Sequence, residues 1–239
     1  SKDIILNLNE KTLNLNVKAK NIAAEGSAKA EYSAFGIAVV SPSGATDDLD
    51  VSIKNGNVTF KCTYPDGATS SNSKNYGNHC GFQVQASEDD VVVTLNLFNV
   101  TMVSNEYALV PFGLESLKNV NWTDSKVNFN VSKSTIETTS DLDVAAISTN
   151  GTYGGESFVV TDSKLISKNG PAIYAPSNGK WTITGSTLTG VSGIDQRSGS
   201  ISIASSTINY NGPTKAVTNS DGPVSFGVGI SVMPNASYS

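Results

Sequence analysis

Apolar residues along the chain recur in one short signature: apolar, any, apolar, a four-residue gap that holds a turn pair, then apolar again. It reads Leu6-Leu8-Leu13, Val51-Ile53-Val58, Leu95-Leu97-Met102, Val120-Trp122-Val127, Phe158-Val160-Leu165, Trp181-Ile183-Leu188 and Ile201-Ile203-Ile208. Period-two alternation is the mark of a half-buried strand. The turn pairs Asn55-Gly56, Asp124-Ser125, Asp162-Ser163, Gly185-Ser186 and Ser205-Ser206 bend a chain cheaply, by reaching φ > 0 or by side-chain capping. Each unit is therefore expected to be strand, sharp corner, strand.

The signature also arises by chance, as at Phe129-Val131-Ile136, which lacks the second marker. That marker is a small residue followed by an apolar one: Gly36-Ile37, Gly81-Phe82, Ala108-Leu109, Ala146-Ile147, Ala172-Ile173, Gly193-Ile194 and Ala216-Val217. The two markers alternate along the chain, which is the behaviour of one repeated unit. Late copies lie 20 residues apart (Ile183 to Ile203) or 23 apart (Val160 to Ile183), a length that suits one turn of a three-sided coil. Early copies lie 44 to 45 apart, so a turn there carries a long insertion, or two turns are present and one is poorly marked. The expected fold is all-β, a single-stranded right-handed parallel β-helix of about eight turns with N-terminal insertions, filling residues 1–239 as one domain. A sandwich of antiparallel hairpins is the alternative, but hairpins do not predict one motif repeating in one orientation. Residues 19–35 are the one candidate helix, interrupted by Gly26 and placed to cap the stack. Residues 62–80 are expected to protrude as a polar loop.

Composition narrows the function classes. Charged residues are 15% of the chain, against an ordinary quarter, so Asn, Ser and Thr must coat the surface. The net charge is −5 and Arg197 is the single arginine, which argues against nucleic acid as a partner. Apolar runs such as Phe35 to Val40 fall far short of the roughly 20 residues that span a bilayer, so no membrane insertion is expected. No charged-then-apolar leader precedes Lys2; a secretion signal would have been removed or would lie outside this sequence. Cys62 and Cys80 flank the polar stretch 63–79. A bridge between them would add roughly 3 kcal/mol and imply an oxidising compartment, while two unpaired thiols are the alternative.

The stretch Gly170-Pro171-Ala172-Ile173-Tyr174-Ala175-Pro176-Ser177-Asn178-Gly179, with the repeat that follows it to Ile208, resembles the units of pectate-lyase-like β-helices in bacterial and phage surface proteins. The opening strand IILNLNEKTLNLN is similar to the first strand of such helices. The resemblance implies a fold and an extracellular or cell-surface setting. It transfers no activity, since one fold hosts lyases, hydrolases and adhesins.

Chemical candidates are sparse. Asp195 and Arg197 in GIDQRSG are the nearest approach to a lyase pair, projecting outward from one strand, with Tyr174 and then Ser148 at the equivalent of Asp195 in earlier copies. The acidic groups Asp47, Asp48 and Asp50, Glu88 to Asp90, and Asp141 and Asp143 sit in polar loops, where solvation explains them better than a hydrolase pair does. His79 lacks a nucleophile elbow, and its spacing to Cys62 and Cys80 fits no zinc pattern, so no metal and no cofactor are expected. Trp122 and Trp181 occupy inward positions of the repeat. Exposed aromatic residues are expected instead at Tyr64 and Tyr76, and at Tyr107 and Phe112. Those four, with His79, Asp195 and Arg197, are the candidate ligand-binding residues, and no catalytic residue is assigned. The expected function is a non-catalytic, adhesin-like module that presents loops to glycans or to host or microbial surface proteins, as a monomer rather than a trimer. A phage fibre or virion-surface module, and a polysaccharide lyase or hydrolase with an unconventional site, are the alternatives.

Overall fold

The structure is a computed structural model, and the residues it describes are 2–22, 32–65, 79–149, 152–212, 218–219, 222–223 and 229–232. Their regular structure is strand, apart from one 3-10 turn at Glu115–Leu117. The strands before that turn are β1 (Lys2–Asn7), β2 (Thr12–Lys18), β3 (Lys20–Asn21), β4 (Tyr32–Val40), β5 (Leu49–Thr63), β6 (His79–Gln85), β7 (Val93–Ser104) and β8 (Tyr107–Phe112). Those that follow it are β9 (Val127–Ser132), β10 (Thr135–Thr138), β11 (Ile147–Ser148), β12 (Gly154–Thr161), β13 (Lys164–Ser167), β14 (Ile173–Ala175) and β15 (Asn178–Thr184). The last are β16 (Thr187–Gly190), β17 (Ile194–Gln196), β18 (Ser200–Ala204), β19 (Thr207–Tyr210), β20 (Thr218–Asn219), β21 (Gly222–Pro223) and β22 (Ile230–Val232).

The large sheet has twelve strands, nine of them on the path β18-β15-β12-β9-β7-β10-β13-β16-β19, with β5 beside β7 and both β1 and β2 on β5. All its pairings are parallel. The second sheet follows β22-β17-β14-β11-β8-β6-β4-β3 and is mixed, because β3 runs antiparallel to β4. β20 and β21 form a separate antiparallel pair.

The expectation of a right-handed parallel β-helix of about eight turns is therefore corrected. β5 and β7, 15 and 12 residues long, run unbroken through the corner and belong to both flanks. The flanks are thus one sheet curled as a parallel half-barrel, facing a second mixed sheet, rather than the separate faces of a multi-turn solenoid. The repeat reports which residues pair, and that part matches: Phe158, Val160 and Leu165 are register partners of Trp181, Ile183 and Leu188. What it leaves unspecified is how the pairs close into sheets.

Register also corrects single copies. Phe129, Val131 and Ile136 pair with Leu95, Leu97 and Met102 on one side and with Phe158, Val160 and Leu165 on the other, so this is a true copy. Val120-Trp122-Val127 is not one, since Val120 and Trp122 lie outside any strand. In the first copy Ile4 and Leu6, not Leu6 and Leu8, pair with Val51 and Ile53. Leu8 lies instead where a side chain on Gly56 would stand, 2.6 Å from its Cβ position. Ile37, Phe82, Leu109, Ile147, Ile173 and Ile194 do pair in sequence, and the next partner is Ile230, whereas Ala216-Val217 falls outside the described residues. The small member of that marker has a packing reason: a Cβ on Gly81 would meet Met102 Cε at 1.9 Å. Of the candidate helix 19–35, Lys20–Asn21 and Tyr32–Val40 are strands, and residues 23–31 are outside the described set.

The core lies between the concave side of the half-barrel and the second sheet, where Leu95, Phe129, Phe158 and Trp181 meet Phe82, Leu109, Ile147 and Ile173 in one buried cluster. Phe129, Phe158 and Trp181 stack along one column, with ring centroids 5.8 and 4.4 Å apart. At the corner, Asn55, Asn99, Lys133, Asp162, Gly185 and Ser205 all take φ between 48° and 61°. The serine that follows the last four turns the corner into a ladder. Ser134, Ser163, Ser186 and Ser206 each accept, at their Oγ, a backbone N–H from the neighbouring copy at 3.0 to 3.1 Å. Each hydroxyl also donates to the carbonyl two residues back. Backbone groups that the bend would orphan in a buried place are thereby satisfied.

Candidate functional site

The large sheet is alternately buried and open, as in β15, so one face of it is solvent-facing. Sequence alternation puts Asp50, Ser52, Thr94, Asn96, Asn128, Asn130 and Thr182 there. The short amides pair along the sheet rather than with solvent alone: Asn130 Nδ2 donates to Asn96 Oδ1 at 2.8 Å, and Asn96 Nδ2 donates to Asp50 Oδ1 at 2.8 Å. A second amide ladder follows the corner, from Asn99 Nδ2 to Asn55 Oδ1 at 3.2 Å and from Asn55 Nδ2 to Asn7 Oδ1 at 3.3 Å. Between the two ladders, on β7, stands Phe98 with 44% of its surface exposed. Its register partner on β5 is Lys54, and Lys133 Nζ lies 5.7 Å from its ring centroid.

The residues expected to bind ligand are placed differently. Tyr107 and Phe112 are buried, not exposed; they pack with Cys80, Val110, Val144 and Ala145 in a second apolar cluster, and Phe112 meets Tyr153 edge-on at 5.6 Å. Asp195 and Arg197 are 4% and 7% exposed and form a two-bond ion pair, with Nε to Oδ1 at 2.8 Å and an Nη to Oδ2 at 3.0 Å. They do not project into solvent as an outward pair would. Ser148, Tyr174 and Asp195 do share the register position expected of them. Tyr76 is outside the described residues.

Tyr64 and His79 come together on a residue that sequence reasoning missed. Glu106, 4% exposed, accepts the Tyr64 hydroxyl at 3.0 Å on Oε1, and its Oε2 lies 3.8 Å from His79 Nδ1. The Tyr64 and His79 rings meet edge to face at 6.0 Å. Burial pushes the Glu106 carboxyl up to about 7, against the pull of the Tyr64 hydroxyl, and pushes His79 down to about 4. Near pH 6 both are therefore neutral. A second missed carboxyl, Glu156, is fully buried, accepts the Gly113 N–H at 3.1 Å and is likewise pushed up to about 7 by burial. Nothing in the local sequence marks either glutamate except an apolar neighbourhood in NEYALVPF and GGESFVV.

Cys62 and Cys80 are free, buried thiols, which corrects the candidate disulfide. Cys62, one residue before the end of β5, lies in the main core and Cys80 sits in the second apolar cluster, so the two side chains face different packing environments. Burial raises the thiol of Cys62 to about 11 and that of Cys80 higher still, which leaves both unreactive near neutrality. The supposed protruding loop begins and ends in strand, and residues 66–78 are outside the described set. Among the described residues no three His, Cys, Asp or Glu side chains are grouped to hold a metal ion. Trp181 is core, whereas Trp122 is buried elsewhere: its indole N–H donates to Asn178 O at 3.2 Å, and Lys180 Nζ lies 4.2 Å over its ring. The acidic loops serve as local ties, with Asp48 accepting the Val92 N–H and Glu88 the Gly44 N–H. No helix among the described residues is long and apolar enough to cross a membrane. Comparison of the chain with family models, with curated proteins and with solved structures returns no match, so the likeness of residues 170–208 to pectate-lyase-like proteins places the chain in no family.

Proposed function

We propose that this protein is a non-catalytic recognition module of a cell surface that binds glycan, and that the contact is made by the open face of the large sheet rather than by loops. The observation that carries the reading is the pair of side-chain ladders, Asn130-Asn96-Asp50, two amides that end on a carboxylate, and Asn99-Asn55-Asn7, three amides. Amides held by one another have lost their rotamer freedom before any ligand arrives, so hydrogen bonds to sugar hydroxyls form with little further ordering cost. An amide also offers donor and acceptor together, which suits a polyhydroxylated ligand. Hydrolysis would need two carboxyls about 5 to 9.5 Å apart across an open groove. The two shifted carboxyls, Glu106 in the turn between β7 and β8 and Glu156 in β12, are instead enclosed.

The test is a glycan array probed with the purified protein and with Asn130→Asp, which replaces the amide donor to Asn96 by a charge. Selective binding that falls at least tenfold in the variant, with the melting temperature little changed, is the expected result. Absence of selective binding by the wild type, or binding indifferent to Asn130→Asp, would overturn the reading.

A further inference from the structure

The geometry points to a carboxylated pyranose, a uronate or sialate residue, as the sugar recognised at Phe98; this rests on the glycan reading above. A lone exposed apolar residue is unremarkable on a protein surface. Phe98 differs in its setting. It lies in β7, a strand hydrogen-bonded on both sides, where the other open positions between Thr94 and Thr101 are Asn and Thr. Among the described residues, the one other exposed aromatic is Tyr210. A flat ring fixed by a central strand is a platform on which the apolar face of a pyranose can lie, and the amides of Asn99 and Asn96 border it along the chain.

The charged residues that adjoin Phe98 directly in the register and in space are lysines. Lys54 is the register partner of Phe98, so the two side chains stand on one face about 5 Å apart at the backbone. Lys133, exposed, holds the corner position next to Asn99 and reaches to 5.7 Å from the ring centroid. The Lys133 ammonium therefore lies over the ring and a second lysine, Lys54, stands beside Phe98 on the neighbouring strand, in a chain whose net charge is −5. The carboxylates closest in the register are Glu10, whose backbone N–H donates to Asn55 O at 2.8 Å beside Lys54, Asp162, one copy beyond Lys133 in the corner column, and Asp50, which already accepts from Asn96; none of them forms an ion pair with these lysines among the described residues. A sugar ring stacked on Phe98 thus has its hydroxyls toward the amides and its edge toward Lys54 and Lys133, where a carboxylate is the group that fits. Lysine suits this role as a mobile point charge on a long stem, able to meet carboxylates at differing ring positions.

The experiment is calorimetric titration of the intact protein with matched ligands: sialyllactose against lactose, and trigalacturonate against its carboxyl-reduced form. At least one acidic member should bind tenfold or more tightly than its neutral match, and raised salt should weaken it. Which pair shows the preference separates sialate from uronate. Phe98→Ala should remove binding of both members, whereas Lys54→Gln with Lys133→Gln should erase the preference, so that the acidic member binds no more tightly than its neutral match. All three side chains project outward, so the melting temperature serves as the folding control. If neutral members bind as well as acidic ones, or if the lysine variant keeps the preference, this inference fails while the glycan reading stands. If no sugar binds here or on the array, both fall together.

Discussion

The outer face of the large sheet and that of the middle strands of the second sheet lie in opposite environments. On the large sheet, β2 and β15 alternate strictly between open and enclosed positions, and the open ones carry Asn, Thr and Lys. On the second sheet, β8 and β17 are buried at every position. Alternation tells inside from outside only when one face meets water. Where both faces are covered, every outward assignment becomes a burial error, and Tyr107, Phe112, Asp195 and Arg197 all fell on that side. The covered face is also where polar groups depart from their ordinary behaviour, since a charge there must be paired or neutralised. The open face keeps its amides neutral and ordered, which is why the proposed binding surface belongs there.

The sharpest way to break this contrast is Arg197→Ala. Removing the guanidinium leaves Asp195 buried with its main partner gone, which should cost about 3–5 kcal/mol in chemical denaturation. The double variant Arg197→Leu with Asp195→Leu should recover much of that loss, because the uncompensated charge goes with its partner. A cost below about 1 kcal/mol for the single variant would mean that the pair is solvated and that the second sheet is open on this side.

Next in size is a pH effect from the enclosed carboxyls. Glu106 and Glu156 titrate near 7 when folded and near 4.5 when unfolded, so the folded state holds more protons between these values and stability must fall as pH rises through that window. His79 acts in the opposite sense: held near 4 against an ordinary 6.5, it favours the folded state above 6.5 and loses that contribution as pH drops toward 4. Two groups outweigh one, so the protein should be more stable at pH 5.5 than at pH 8, by roughly 2–3 kcal/mol. Glu106→Gln with Glu156→Gln should flatten the profile and raise the melting temperature at pH 8. A profile identical in the double variant would show that both carboxyls reach water.

What the sequence disclosed follows the same division. The columns through Phe158, Trp181 and Ile201, and through Leu165, Leu188 and Ile208, were legible because each copy presents apolar residues at fixed spacing around a residue with turn chemistry. The copy at Phe129 reads as chance because no small-then-apolar marker is left for it, and its corner residue Lys133, at φ 50°, carries no turn signal to offset that. Its place was given to Asp124-Ser125, a turn-like pair in the segment where Trp122 reaches back to Asn178. Sheet closure was illegible for a related reason, since the pattern of β5 and β7 does not reveal that their backbone continues through the bend. Glu106 and Glu156 could not be read as functional or structural because burial by distant segments leaves no local mark. The open face was within reach: Asn55 and Asn99 hold the same corner position 44 residues apart, and an amide repeated at one place in neighbouring copies is the pattern of a ladder.

The smallest effects separate the two sides of the corner itself. Ser163 faces inward, accepts the Ser134 N–H and donates to Thr161 O, so Ser163→Ala strands a buried donor and should cost about 1–3 kcal/mol. Asn99 faces outward at φ 53°, and Asn99→Gly removes its amide while keeping a residue that adopts this backbone without strain. Its cost should be within about 0.5 kcal/mol, because water replaces the lost bond to Asn55. Denaturant titrations of the two variants side by side measure the difference directly. Equal costs would show that the amide ladder is structural support, and the face assigned to ligand would lose its claim to be spare.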